Sequence, residues 1–199
     1  MIAQKHDDSL EKIAADVRGC PLCKLSQSRK NAVPGEGQLS AKIMFIGEAP
    51  GRSEDEEGRP FVGAAGRILN NMLKKAGIER SQVFITNIVK CRPPNNRVPK
   101  EDELTACRPY LDRQIALIKP KVICILGRTA YSSLLGGSSI TPNRGKIVKK
   151  GDQKYFLTFH PAAVIYNRDL RSVLQADLKK LAAEINKGEE NKVSLEDYL

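Results

Sequence analysis

Four short apolar runs, each stopped by a turn and separated from the next by a helical pattern, constrain the fold more than any other feature. The runs are rich in branched side chains, which is typical of strands buried on both faces of a parallel sheet. They cover residues 42–46, 83–89, 121–126 and 155–159. Strands that alternate with helices leave the helices on both faces of the sheet. The sequence therefore predicts an α/β fold, a three-layer α/β/α sandwich around a central four-stranded parallel sheet.

Apolar residues recur at helical spacing between these runs. The pattern predicts helices over residues 7–18, 64–75, 100–118, about 128–135 and about 169–186, and a polar, basic connection over 136–151. A chain of 199 residues suits one sizeable core. We expect a single domain over residues 1–187, followed by a charged tail over 188–199.

The charge balance indicates a polyanionic partner. Lys and Arg number 33 against 23 Asp and Glu, a net charge of +10. Nucleic acid is favoured over an anionic membrane, and a basic protein without such a partner is the alternative. No apolar run approaches the roughly 20 residues of a bilayer span, and the N-terminus lacks the apolar core of a signal peptide. We expect a cytoplasmic monomer without structural disulfides.

A glycine-rich turn follows the first strand, at the place where open α/β sheets bind ligands. It spans residues 47–51. The glycine patterns that bind dinucleotides and nucleoside triphosphates are absent, and Glu48 with the acids at 54–57 would repel phosphate. These carboxylates suit a ligand that needs acceptors or an activated water, and Phe61 offers a flat apolar face. The alternatives are a solvated acidic loop and a core phenylalanine.

Two further polar residues follow strands, so the parallel sheet would bring them to the same edge. Asn87 ends the second predicted strand and His160 follows the fourth. An amide carries a donor beside an acceptor, which can read one edge of a pyrimidine. A histidine can direct an N–H at an oxygen that gains negative charge. The alternatives are a turn-forming Asn and a structural His-Pro stop.

Four of the five cysteines stand near Pro, Lys and Arg, with spacing C-x2-C, a long gap and C-x15-C. They are Cys20, Cys23, Cys91 and Cys107, whereas Cys124 lies within a strand and is expected to be a core residue. Four thiolates can close one metal site from separate segments. The spacing does not separate zinc from an iron–sulfur cluster. Free thiols or a redox C-x-x-C pair are the alternatives.

Several motifs together resemble the iron–sulfur (family 4) uracil-DNA glycosylases of bacteria and archaea. They are GEAPG, GRPFVGAAG, TNIVKCRPPNNR, FHPAA and the four-cysteine spacing, within about residues 10–185. The resemblance implies a structural 4Fe–4S cluster on the four cysteines. It also implies a DNA repair hydrolase that removes uracil from single- or double-stranded DNA and leaves an abasic site. No lysine is positioned by the motifs as a nucleophile, so we expect no strand cleavage.

The resemblance also assigns the pocket residues. The backbone of Glu48 and Ala49 would contact uracil, and Phe61 would stack on it. Asn87 would bind its O4 and N3 side, while His160 would donate to O2 as the base leaves.

The acid that places the attacking water is less directly assigned. Related glycosylases of other families carry an acid directly after the residue that matches Glu48, but Ala49 stands there. We therefore expect Glu54 in this role, with Glu48 and Asp55 as rivals. The basic loop residues expected to contact DNA phosphates are Arg92, Arg97, Arg144 and Lys146.

Other functions and a further partner are also considered. One is a non-catalytic nucleic-acid-binding module with a structural zinc. Another is a glycosylase of the same fold with a different base preference, or one that retains uracil covalently through an additional histidine; the chain has only His6 and His160. The end KVSLEDYL resembles a sliding-clamp-binding peptide, with Lys192 in place of the usual Gln, or could dock on its own domain. Its contact residues would be Leu195, Tyr198 and Leu199.

Overall fold

A computed structural model of the chain describes residues 8–190, with side chains through residue 186. Six strands form one sheet in the order β1-β3-β2-β4-β6-β5. Their bounds are β1 Glu36–Gly37, β2 Ile43–Gly47, β3 Phe84–Asn87, β4 Val122–Leu126, β5 Ile147–Lys150 and β6 Gln153–Thr158. β2, β3, β4 and β6 are parallel, as predicted.

The helices cover both faces of this sheet, which confirms the three-layer prediction. Their bounds are α1 Leu10–Gly19, α2 Leu25–Ser28, α3 Arg52–Glu57, α4 Ala64–Lys75, α5 Glu101–Ile118, α6 Arg128–Leu135, α7 Ala163–Tyr166 and α8 Leu170–Glu190. Side chains alternate along each strand. Phe45 of β2 therefore packs toward α4 and α8, while its neighbour Met44 packs toward α5 and α6.

Three details differ from the sequence prediction. β1 and β5 add short antiparallel edges to the four parallel strands. β5 lies within residues 136–151, which were predicted to be a connection. The side chains of β5 are half-buried or exposed, so the sequence has no apolar run there that would predict a strand. The acids at 54–57 belong to helix α3 rather than to a loop.

The C-terminal helix is longer than expected. α8 runs to Glu190, beyond the helix end predicted near residue 186. Leu195, Tyr198 and Leu199, the predicted clamp contacts, lie outside the described residues, and the clamp interaction stays a prediction. Among the helices of residues 8–190, none is long and apolar enough to cross a membrane.

The order of the strands determines where a ligand can enter. β3 and β4 lie on opposite sides of β2, so the sheet grows in two directions from its centre. Such a reversal opens a crevice beyond the carboxyl ends of the strands. In the register of β2 and β3, Gly47 stands beside Asn87. The predicted polar residues therefore meet at this edge.

Candidate active site

A cavity of about 400 Å³ lies beyond the carboxyl ends of the parallel strands. The structure brings together there every residue predicted to contact or act on a base: Glu48, Ala49, Glu54, Phe61, Asn87 and His160. They come from three segments of the chain, at the ends of β2, β3 and β6. Their convergence follows from the parallel sheet, which directs each of these segments to one edge.

Asn87, which lines this cavity, has a buried amide oxygen without a hydrogen-bond partner. The residue is 2% exposed, and its Oδ1 is the one buried side-chain N or O atom without a hydrogen-bond partner among the described residues. Leaving such an atom unpaired costs about 1–3 kcal/mol. Gly47 provides the space, because a Cβ there would lie 2.5 Å from this oxygen. The amide is therefore arranged to accept a hydrogen bond from a ligand.

Phe61 lies in the cavity wall with an unusual backbone conformation. Its φ is 52°, in the left-handed region that bulky residues rarely adopt. Gly66, in the first turn of α4, makes room for the carbonyl of Phe61, which a Cβ at residue 66 would strike. The phenyl ring lies 5.6 Å from the His160 ring, at 34° between the planes. Backbone strain of about 1–3 kcal/mol is tolerated here in exchange for a fixed aromatic face.

His160 has a defined tautomer. The backbone N–H of Ala162 donates to its Nδ1 at 3.2 Å. In a neutral imidazole, an accepting Nδ1 leaves the proton on Nε2, which is then a donor. Burial lowers the pKa of His160 to about 4, and the nearby charge of Glu54 opposes the shift only in part. The ring is therefore neutral at pH 7 and offers one N–H to the cavity.

The carboxylate of Glu54 holds the loop that shapes the cavity. Its Oε2 accepts the backbone N–H of Gly51 at 3.1 Å. Its Oε1 accepts the N–H groups of Val62 and Gly63 at 2.9 and 2.8 Å. A carboxylate has about four lone-pair sites, so three are occupied. This arrangement fixes both ends of the segment that carries Phe61.

The two rival acids occupy different surroundings. Asp55 is buried, and its Oδ1 accepts the backbone N–H groups of Lys30 and Asn31 at 2.9 and 3.3 Å. It is not part of the cavity wall. Glu48 lines the cavity, and within residues 8–190 its carboxylate has no hydrogen bond or ion pair. Among the acids that line the cavity, Glu48 is thus the one whose carboxylate oxygens accept no hydrogen bond within the described residues.

Two of the predicted phosphate contacts are anchored by buried carboxylates. Arg97 lines the cavity and donates to both oxygens of Glu103, at 2.8 and 2.6 Å. Arg144 donates to both oxygens of Asp177, at 2.9 and 2.5 Å. Both carboxylates are 2% exposed or less. Such bidentate pairs fix the direction of a guanidinium.

The other two basic residues lie outside the cavity wall. Arg92 donates from Nε to the side chain of Asn96 at 2.8 Å, and Asn96 itself lines the cavity. Lys146 is exposed, and its Nζ donates to the carbonyl of Pro142 at 2.8 Å. Of the four predicted phosphate contacts, the structure therefore brings only Arg97 into the cavity itself.

The four predicted metal-binding cysteines line a second, small cavity, together with Arg29, Lys90 and Tyr110. Arg29 donates to Sγ of Cys91 at 3.1 Å, and the backbone N–H of Lys90 donates to Sγ of Cys107 at 3.2 Å. Cys124 is fully buried in β4, in agreement with its prediction as a core residue. Donors directed at sulfur suit thiolate ligands.

Comparison with known proteins shows the family to which this chain belongs. The model of the uracil DNA glycosylase superfamily matches residues 34–185. The chain belongs to this superfamily. Three type-4 uracil-DNA glycosylases are similar to it. That of Sulfurisphaera tokodaii is 60% identical, covering 87% of this chain and 84% of the relative. That of Thermotoga maritima is 44% identical, covering 92% and 97%, and that of Archaeoglobus fulgidus is 42% identical, covering 96% and 100%.

The cysteines of this superfamily member converge without forming a compact metal site. In residues 8–190 no three His, Cys, Asp or Glu side chains are close enough to hold a metal ion. The four cysteines nevertheless border one cavity and come from three segments. Four thiols at one cavity suit a group with four cysteine ligands.

One feature of the cavity was missed from the sequence. Tyr166, at the end of α7, lines the mouth and is 89% exposed, and Ile165 before it is 49% exposed. Val98 is 60% exposed next to Arg97, another lining residue. The available signal was an apolar pair shortly after the His-Pro step at residue 160. Exposed apolar side chains beside a pocket indicate a surface that meets a partner.

Proposed function

We propose that this chain is a monofunctional uracil-DNA glycosylase, a hydrolase that removes uracil from DNA and leaves an abasic site. The unpaired Asn87 Oδ1, in one cavity with an N–H of neutral His160, carries the proposal. Uracil has an N–H at N3 between two carbonyl oxygens, which is the complement of these groups. The names of the similar type-4 enzymes support the same activity.

Uracil has to leave the helix to enter this cavity. Flipping a nucleotide costs a few kcal/mol, which contacts to the backbone and the pocket offset. Phe61 would stack on the base. Asn87 Oδ1 would accept the N3 proton while its amide nitrogen donates to O4, and the backbone around Glu48 and Ala49 would complete the pocket. Cytosine lacks the N3 proton and presents a donor at position 4, so it would be rejected.

Cleavage of the glycosidic bond leaves negative charge on the base. His160 would donate from Nε2 to O2, where this charge develops. The neutral ring stabilises the anion without giving up a proton. Removing a donor of this kind typically costs on the order of 3 kcal/mol, or more than a hundredfold in rate.

Glu48 is the acid that the geometry favours for the water. Its carboxylate has acceptor sites free within the described chain, and it would also stabilise positive charge on the sugar. Glu54 would act through the loop, since its oxygens already hold three backbone amides. Glu54 also lines the cavity wall, so Glu48→Gln and Glu54→Gln compared for uracil release separate a direct role from a role through the loop.

Basic residues around the cavity would follow the DNA backbone. Arg97 stands at the cavity, and Arg92, Arg144 and Lys146 would contact phosphates farther along the strand. Tyr166 at the mouth would meet bases that flank the flipped nucleotide, since aromatic rings stack on any base. Such a protein would work in the cytoplasm, on the nucleoid.

The cofactor proposed is a structural 4Fe–4S cluster held by Cys20, Cys23, Cys91 and Cys107. When bound, it would tie the α1–α2 segment to the segment after β3 and to α5. The cavity between the four cysteines and the N–H groups directed at two of them support a metal group held by these thiolates, and the resemblance to the iron–sulfur family favours a cluster over zinc. Equal amounts of iron and acid-labile sulfide with a brown colour would support the cluster. A colourless protein with stoichiometric zinc would refute it.

The activity is tested with a labelled oligonucleotide that contains one uracil, treated with alkali after incubation. Asn87→Ala and His160→Ala should each lose more than about 99% of the rate, given the magnitude for one lost donor. Glu57→Gln, an exposed change on helix α3 outside the cavity wall, is the control. Parallel oligonucleotides with hypoxanthine or thymine test the alternative base preferences. Absence of uracil release by the metal-loaded wild type would refute the proposal, and DNA binding without release would support the non-catalytic module.

A further inference from the structure

Lys90 is a fully buried cation that no part of the proposed reaction uses. It is 1% exposed. Its ammonium donates to Thr86 Oγ1 at 2.5 Å, to the Asn87 carbonyl at 2.9 Å and to Gln114 Oε1 at 2.7 Å. These bonds use all three of its donors, and none of the acceptors is a carboxylate. Burying an ammonium without a paired carboxylate is expensive, so its position requires an explanation.

The residue connects the two cavities. Lys90 follows Asn87 by three positions and immediately precedes Cys91. Its backbone N–H donates to Cys107 Sγ, and its carbonyl accepts the N–H of Val33 at 2.7 Å. The backbone of Lys90 therefore belongs to the cysteine cavity, while its side chain turns back to the end of β3. The carbonyl that it holds there is that of the residue proposed to read uracil.

Gln114, on helix α5, also binds the Lys90 ammonium. Its Oε1 accepts from Lys90, and its amide nitrogen donates to the carbonyl of Pro34 at 2.7 Å. The hydroxyl of Thr86 donates to the same carbonyl at 3.0 Å. Gln114 and Cys107 are seven residues apart on α5, which places them on one face of the helix. The ammonium thus binds groups of α5 and of the end of β3, and two of these groups are held in turn by the carbonyl of Pro34.

We propose that Lys90 is a positioning residue that couples the assembled cysteine site to the base pocket by fixing the carbonyl of Asn87. The proposal rests on the proposed function, because it takes Asn87 as the uracil reader. A fixed carbonyl fixes the peptide plane, and with it the direction of the Asn87 side chain. Loss of the ammonium would loosen recognition of the base and leave contacts to the DNA backbone unchanged.

Lys90→Met tests this coupling, since methionine keeps the unbranched length but has no donor. The measurements are the metal content, the dissociation constant of free uracil by calorimetry, and the affinity for uracil-free DNA. We expect uracil to bind at least tenfold more weakly, with affinity for uracil-free DNA within twofold of wild type. Leu25→Ala is the matched control, because Leu25 is buried in the same cluster as Cys91 and touches neither Asn87 nor the pocket. It should lower the melting temperature and leave uracil affinity within twofold.

Gln114→Met provides a second measurement if Lys90→Met loses metal or folds poorly. Gln114 is not among the residues that line the cysteine cavity, so metal should be retained, and uracil affinity should still fall severalfold. Uracil affinity within twofold of wild type in this metal-loaded variant would overturn the coupling. Loss of uracil affinity in Leu25→Ala equal to that in Lys90→Met would also overturn it, since general destabilisation would then explain both. If either of these results is found while the wild type still excises uracil, the coupling fails and the proposed function stands.

Discussion

Acidification should inactivate the protein at a pH set by the surroundings of His160. Burial lowers the pKa of His160 from 6.5 to about 4. At pH 6.5, where an ordinary histidine is half charged, a pKa lower by about 2.5 units leaves only about 0.3% of the rings protonated. Protonation would also place a proton on Nδ1, which faces the N–H of Ala162. The two donors would then oppose each other, and the ring would lose its fixed orientation.

The rate of uracil excision should therefore stay constant from pH 8 to about 5 and fall to half near pH 4. The free energy of unfolding should also decrease as the pH falls. The unfolded chain takes up the histidine proton near pH 6.5, whereas the folded chain takes it up near pH 4. Between these values the unfolded state binds more protons, so the free energy of unfolding falls as the pH falls. The contribution of His160 is complete above pH 6.5, and its loss amounts to roughly 3 kcal/mol at most.

Single-turnover excision, with circular dichroism at each pH to confirm folding, measures the first effect, and urea unfolding measures the second. His160→Gln is the control, because glutamine keeps an N–H donor but does not titrate. Its rate should be lower at pH 7, and its profile should lack the step near pH 4. A wild-type midpoint near pH 6.5, or identical profiles for wild type and variant, would refute the argument that the ring is held neutral.

Three further changes test separate parts of the structure. Gly47→Ala brings a Cβ to 2.5 Å from Asn87 Oδ1. This overpacking should lower the free energy of unfolding by about 1–3 kcal/mol and displace the amide, so uracil should bind more weakly, and calorimetry that shows unchanged affinity would contradict this. Asp177→Ala leaves Arg144 without its buried partner, so the free energy of unfolding in urea should fall by about 3 kcal/mol, and a loss under 1 kcal/mol would show that the pair is dispensable. Arg92→Ala should reduce the slope of log affinity against log salt by about 0.9 on duplex DNA, whereas an unchanged slope would remove Arg92 from the phosphate contacts.

Much of the fold and the convergence of the pocket could be predicted from the sequence because both depend on short-range patterns. The buried strands are continuous apolar runs, and their parallel order follows from the helices between them. Once the strands are parallel, Asn87 and His160 must reach the same edge as the turn after Gly47. Prediction of these residues therefore needed no knowledge of distances.

The parts that sequence reasoning missed depend on contacts between distant segments. Glu54 was predicted as the acid that places the water, but the three backbone amides that it holds converge on it only after the loop folds. β5 is a half-exposed edge strand, so its pattern lacks the apolar signal of the central strands. Lys90 reads as one more basic residue, and its burial becomes visible only when α5 packs beside β3.

The strained backbone of Phe61 persists because the buried ring contributes more than the strain costs. A φ of 52° suits glycine and strains phenylalanine, so replacement by glycine would relax the main chain while it discards the ring. The ring is 5% exposed and packs in the core, so its loss would cost about 3–5 kcal/mol, more than the roughly 1–3 kcal/mol of strain that glycine would relieve. A library screened for survival of heating and a library screened for repair of deaminated cytosine should therefore both retain the aromatic side chain at residue 61.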